Sequence, residues 1–144
     1  MKLSTDQKKE GNGAAKLSWT SGGGMYQAAF LTLERLATDI TGRSFEVCVM
    51  PLDDNAGNWR VTFFDVAGQM VEMHQLYSAK ANEWTCMKFT QGKQSGQGWF
   101  YRKGSGDPTK VVRVQFAGTT KENSPAGTIS AVLWDGFKLV DAEK

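Results

Sequence analysis

The chain has 144 residues, with 17 Lys+Arg against 15 Asp+Glu for a net charge of +2, and it holds 16 Gly, three Pro and two Cys. That length suits one domain able to bury a core without obligatory metals or disulfides. The charge is spread with no basic block to neutralise a phosphate backbone, so no nucleic acid is expected as partner. No apolar run approaches the ~20 residues that span a bilayer, so no membrane is expected either.

Residues 1–12 are polar and charged and read as a frayed end or a weak edge strand; the domain proper is set at 13–144. The run Ala14–Thr20 is strand-like, Ser21-Gly-Gly-Gly24 is a turn, and Met25–Leu33 is extended again. A short helical turn fits Glu34–Thr38. Ser44–Met50 alternates, with Phe45, Val47 and Val49 on one face, and Pro51 ends that strand. Asn58–Phe64 alternates likewise, with Trp59, Val61 and Phe63 inward.

Asp65-Val-Ala-Gly68 is the strongest hairpin signal, since Asp opens a type I turn and Gly can take the left-handed conformation that closes it with a bulge. With Asp65 opposite Gln69, regular pairing puts Val61 and Phe63 on one face with Val71 and Met73. Arg60 and Thr62 then share the other with Glu72 and His74. Glu83–Phe89 is a further strand, a glycine-rich loop spans 91–98, and Trp99-Phe-Tyr101 follows it. Val112, Val114 and Phe116 face inward in the next strand, Arg113 and Gln115 outward. The last strand, Thr128–Val140, carries a Trp134-Asp-Gly136 interruption. Cys48 and Cys86 lie in separate strands without tight spacing, and free buried thiols are read ahead of a bridge.

Eight or nine short strands of period two predict an all-β fold, a two-sheet antiparallel β-sandwich of jelly-roll type. Gln27, Glu46, Arg60, Glu72, His74, Arg113 and Gln115 are read as one polar face, an inventory suited to a hydroxyl-rich ligand. Trp19, Trp59 and Trp84 are assigned to the core. Trp99 and Tyr101 leave a Gly, Ser and Gln-rich loop and are candidate stacking platforms. Trp134 is read as a sheet-face platform or a plug at the sandwich edge.

Gly11-Asn-Gly-Ala-Ala-Lys-Leu17, the Asp39-Ile-Thr-Gly42 turn, Trp59–Asp65 with Gly68, Trp84 and the ending Leu133–Val140 together resemble the galactose-binding-like β-sandwich carbohydrate-binding modules of bacterial polysaccharide-degrading enzymes. The resemblance implies a non-catalytic module that binds a plant or microbial polysaccharide, a β-glucan-type chain first, on a concave sheet face. It further implies a monomer, cut from a longer secreted protein, that targets an appended glycoside hydrolase in an extracellular or cell-surface setting. No cofactor is required by that reading. Many such modules hold a structural calcium, for which the carboxylates here are Asp6, Glu10, Asp135 and Asp141, with Asp135 the candidate ligand.

Two other classes compete. A small jelly-roll lyase or hydrolase would use His74-Gln-Leu-Tyr77 with Arg60, or Glu46 facing Glu72. No Ser-His-Asp or Cys-His nucleophile motif accompanies them. An adhesin module of the same fold is the third reading.

Overall fold

The computed structural model describes residues 2–4, 14–23, 28–34, 36–76, 79–93, 99–121 and 124–140. They form two five-stranded antiparallel sheets. One contains β1 (Lys2–Ser4), β2 (Ala14–Thr20), β4 (Ser44–Pro51), β7 (Thr85–Thr90) and β10 (Ile129–Val140), in the order β1-β2-β10-β4-β7. The other contains β3 (Ala28–Leu33), β5 (Ala56–Asp65), β6 (Met70–Leu76), β8 (Trp99–Lys103) and β9 (Val111–Thr120), in the order β3-β9-β5-β6-β8. The molecule is the β-sandwich that the alternation predicts, with a 3-10 turn at Pro108–Lys110.

The core fills the gap between the sheets. Leu17, Phe45, Val47, Val49, Met87, Phe89, Val132 and Trp134 come from the first sheet; Trp59, Val61, Phe63, Val71, Val111, Val114 and Phe116 come from the second. Phe45 stands at its centre, 4.5 Å from the Phe63 ring and 5.4 Å from Phe89. Trp19 is half-buried against this core, and Gly118 lies directly beneath it, where a Cβ would run into the indole ring. Trp84 instead covers a smaller apolar cluster, Ala14, Met50 and Leu133, on the outer side of the first sheet.

Three local expectations are corrected. Of the helical turn expected at Glu34–Thr38, the described residues 36–38 form none, because Leu36 and Thr38 donate N–H bonds to the Val112 and Val111 carbonyls at 3.0 and 3.1 Å and lie alongside β9. Val112 is a bulge residue, since Phe64 pairs with Arg113 and Asp65 with Val111; Val111 fills the core place assigned to Val112. Cys48 and Cys86 are direct partners on β4 and β7 and form a disulfide, where free thiols were expected. Sequence spacing alone carried no information on strand order, so their adjacency was invisible.

The Asp65–Gly68 hairpin forms with its expected bonds. Gly68 donates to the Asp65 carbonyl at 3.0 Å, Asp65 donates to Gln69 at 2.9 Å, and Gly68 sits at φ +78°. The Asp65 carboxylate accepts from the Ala67, Gln69 and Asp107 N–H groups at 3.0, 2.9 and 2.9 Å. It therefore ties the hairpin to the loop before β9, and those bonds, the Asp107 one foremost, hold its carboxyl below the ordinary aspartate value.

Candidate functional site

The register beyond the hairpin decides which side chains face solvent. Phe63 pairs with Glu72 but Phe64 with Met70, so Val71 is an extra residue on β6. The bulge has a visible support. The Val71 and Met70 carbonyls accept from the Gly104 and Gly106 N–H groups, each at 2.9 Å. A Cβ on Gly106 would lie 2.8 Å from the Gln69 carbonyl oxygen, and one on Gly104 would collide with that of Met70. Only glycine permits this approach.

One extra residue reverses every side chain after it. Glu72 and His74 therefore point into the core, 0% and 1% exposed, opposite Phe63 and Val61. The expectation that they share a solvent face with Arg60 is overturned. His74 Nε2 lies 2.5 Å from Glu72 Oε2, and the Gly92 N–H donates to the same carboxylate at 3.2 and 3.3 Å. The imidazole stacks on Phe89 at 4.2 Å and meets Tyr101 at 5.1 Å. Tyr101 is thus partly buried against a core pair, and desolvation, then the nearby Glu72 carboxyl, raises its hydroxyl pKa. It is no open stacking platform.

The outer face of the second sheet is built from alternate residues of five strands. One cross-strand row holds Phe30, Ala117, Arg60 and Gln75, with Phe100 opposite Gln75. The next holds Thr32, Gln115, Thr62, Met73 and Arg102. Asn58 with Thr119 and Phe64 with Arg113 flank these rows. Small side chains occupy the middle, with Ala117, Thr119 and Thr62 buried between larger neighbours. Phe30, 52% exposed, stands on β3 at the sheet edge.

Several polar groups of this face lack protein partners. Arg60 is half-buried, gives Thr119 Oγ1 one bond at 3.4 Å, and keeps its Nε away from water with no acceptor. Burial lowers its guanidinium pKa. Asn58 Oδ1 and Arg113 Nε are buried without partners as well. The Arg113 guanidinium lies over the Phe64 ring, 4.2 Å from its centroid. Gln115 reaches Thr32 Oγ1 at 3.5 Å.

Of the side chains singled out from sequence, Arg60, Arg113 and Gln115 are brought together here. Glu46 is not. It lies on the outer face of the opposite sheet, 3.1 Å from Lys138, where it lines a shallow cavity with the disulfide, Lys88 and Gly136. Trp134 is neither platform nor edge plug, being 3% exposed and 5.2 Å from the Phe116 ring inside the core. Trp99 opens β8 opposite Leu76, but its side chain, like Gln27, lies outside the described residues. Gln75, Asn58, Met73, Phe30 and Arg102 were missed because the bulge and strand order, which set their facing, leave no mark in period-two alternation.

Of the carboxylates that the resemblance offers for a calcium site, Asp135 alone falls among the described residues. Asp6, Glu10 and Asp141 lie outside the described residues. Among the described residues no three His, Cys, Asp or Glu side chains come together as a metal-binding set. Asp135 accepts the Gly136 N–H at 2.7 Å beside a further bulge, between Asp135 and Lys138, where Gly136 takes φ +65°.

The two-sheet architecture with a polar outer face is the β-sandwich fold of carbohydrate-binding modules, among them members of families 11, 16 and 30. A family 11 module of Clostridium thermocellum, solved with a β-1,3-1,4-mixed-linked tetrasaccharide, superposes with TM-score 0.60 at 15% identity, covering 98% of this chain and 81% of that one. A family 30 module gives 0.59 at 15%, covering 99% and 74%. An exo-β-agarase gives 0.69 at 10%, covering 99% of this chain but 22% of the agarase, so the chain spans about a fifth of that protein. No protein-family model and no curated protein sequence matches the chain.

Proposed function

We infer that the protein is a non-catalytic glycan-binding module whose site is the outer face of the β3-β9-β5-β6-β8 sheet. The observation that carries this is the set of orphaned planar polar groups there, Arg60 Nε, Arg113 Nε and Asn58 Oδ1, beside Gln75 and Gln115. These atoms are sealed from solvent and so from a ligand, but they mark side chains whose hydrogen-bonding capacity the protein leaves largely unused, and the accessible ends of Arg60, Arg113, Gln75 and Gln115 can meet a ligand's hydroxyl groups. The outer side of the opposite sheet offers less, since Trp84 and Leu52 cover its apolar cluster and Glu46 is already paired with Lys138.

A catalytic role is disfavoured by the placement of the candidate acid and base groups. His74 and Glu72 are sealed in the core, and Glu46 lies on the other side of the sandwich, so neither the lyase set nor the carboxylate pair can meet a substrate. Attachment to a polysaccharide-degrading enzyme follows the precedent of the agarase, of which the similar region is a minor part. The Cys48–Cys86 bridge fits a secreted protein, because disulfides persist in oxidising compartments. The mixed-linkage ligand of the family 11 neighbour makes a β-glucan the first uncharged chain to try. Affinity electrophoresis against soluble polysaccharides, with a reducing-end assay alongside, tests the reading. Retardation without new reducing ends is expected; turnover, or no retardation by any polymer, refutes it.

A further inference from the structure

The bulge at Val71 changes the charge of the face as well as its shape. Regular pairing would place His74 opposite Arg60 and the Glu72 carboxylate opposite Thr62 on the same face; the extra residue sends both inside and puts neutral Gln75 and Met73 outward in their place. The outward positions of the five strands, Phe30 and Thr32, Asn58 to Phe64, Met73 and Gln75, Arg102, and Arg113 to Thr119, then include three arginines and no carboxylate. Glu34 follows β3 at one end, where it lines a shallow cavity with Arg113.

Arg60 is the unusual member. A half-buried guanidinium is normally matched by an anion, because desolvating the charge is costly unless a partner restores the lost interactions. Here the neighbouring strands supply Ala117, Gln75 and a weak Thr119 contact, and no carboxylate among the described residues pairs with it. Its Nε is sealed beneath the surface, so the anion contact falls to the terminal nitrogens, whose N–H groups can take oxygens of a carboxylate or sulfate. Arg113, four positions along β9 from the residue opposite Arg60, lies about 14 Å away at ~3.4 Å per residue. Two such points can be met by non-adjacent sugars of one extended chain.

We propose that this face selects anionic polysaccharides, chains whose sugars carry carboxylate or sulfate groups, with Arg60 as the principal anion contact. The inference rests on the glycan-binding reading above and narrows its ligand class. An uncharged chain would offer the Arg60 guanidinium only neutral hydroxyls, which make weaker bonds than an ionised acceptor.

The test is affinity electrophoresis and calorimetry with the whole chain against alginate, polygalacturonate and a sulfated galactan, each paired with its carboxyl-reduced or desulfated form. Agarose and mixed-linkage β-glucan serve as uncharged polymers and dextran sulfate as an unrelated polyanion. The expected result is binding to at least one acidic polymer at least about tenfold tighter than to its neutralised form and tighter than to dextran sulfate. Arg60→Ala should cost about tenfold or more, an effect of the size seen on losing a charge-assisted hydrogen bond. Arg60→Lys, which keeps charge but not the planar fork, should fall between. Both variants must melt within a few degrees of the parent. Whether the uronate or the sulfated polymer binds identifies the anion. Equal or tighter binding of the neutralised forms overturns the inference and leaves the glycan-binding reading standing. Binding that dextran sulfate matches and Arg60→Ala does not alter also overturns it, as unspecific polyanion attraction; binding to nothing overturns both.

Discussion

Replacing Cys48 and Cys86 together with alanine removes a link between β4 and β7 that closes a loop of sequence separation 38. The stabilisation of such a link comes mainly from the freedom it denies the unfolded chain, and for a loop of this length the chain-entropy relation gives about 4 kcal/mol. Little packing is lost with it. Cys86 is exposed, and Cys48 at 8% exposure lies on the outer side of the sheet, away from the Phe45, Phe63 and Phe89 rings. For 144 residues the unfolding entropy near the midpoint is about 0.3 kcal/mol per kelvin, so the loss corresponds to a Tm lower by about 13 °C. Calorimetric melts of the parent, the double variant and the parent under a strong reductant should show the last two together and well below the first. If the bridge is confirmed by intact mass and the midpoints differ by less than about 3 °C, the entropic reasoning is refuted. If the unreduced parent reacts as two free thiols, the pairing itself is wrong.

Other changes probe the elements that set the face. Glu72→Ala strands His74 Nε2 and the Gly92 N–H and should cost about 2–4 kcal/mol in urea unfolding; Glu72→Leu with His74→Phe, which removes both polar partners, should cost less than Glu72→Ala alone. Gly118→Ala drives a methyl into the Trp19 ring and should lower stability by about 1–3 kcal/mol, measured by the same titration. Asp65 is held below the ordinary aspartate value of 3.8 by backbone N–H groups, so the unfolded chain takes up its proton at higher pH than the folded one. Its stabilisation is present above that value and is lost as pH falls through the lower folded value; Asp65→Asn should flatten this part of the acid dependence of the urea midpoint.

The two-sheet fold was legible because its signals are local. Phe45, Val47 and Val49, and Trp59, Val61 and Phe63, sit at period two between turn residues, and they are the inward sets of β4 and β5. The Asp65–Gly68 turn was legible for the same reason, its bonds lying within five residues. The candidate face was half legible. Arg60, Arg113 and Gln115 could be placed from their own strands, whereas Glu72, His74 and Tyr101 depended on a bulge, and the disulfide depended on β4 lying beside β7. Trp134 was misplaced because a strand that is apolar on both sides, as Ala131-Val-Leu-Trp134 is, gives alternation no sign.

The pair Gly104 and Gly106 carries the clearest sequence trace of that bulge, although it lies some thirty residues away. Two carbonyls turned out of register on β6 need donors, and a segment that can lay its backbone against them must do so without Cβ atoms. The same two glycines therefore decide which of His74 and Gln75 stands opposite Arg60, and whether Glu72 shares its face. Gly106→Ala is the discriminating change. It should cost about 1–3 kcal/mol by crowding the Gln69 and Met70 carbonyls, and whatever population survives with the bulge removed would present Glu72 to solvent and bury Met73. In that register the Glu72 carboxylate, opposite Thr62, sets a negative charge on the face of Arg60, so binding of an anionic glycan should fall by more than the loss of folded protein explains. A variant that melts lower yet binds undiminished per folded molecule would separate the bulge from the charge of the face.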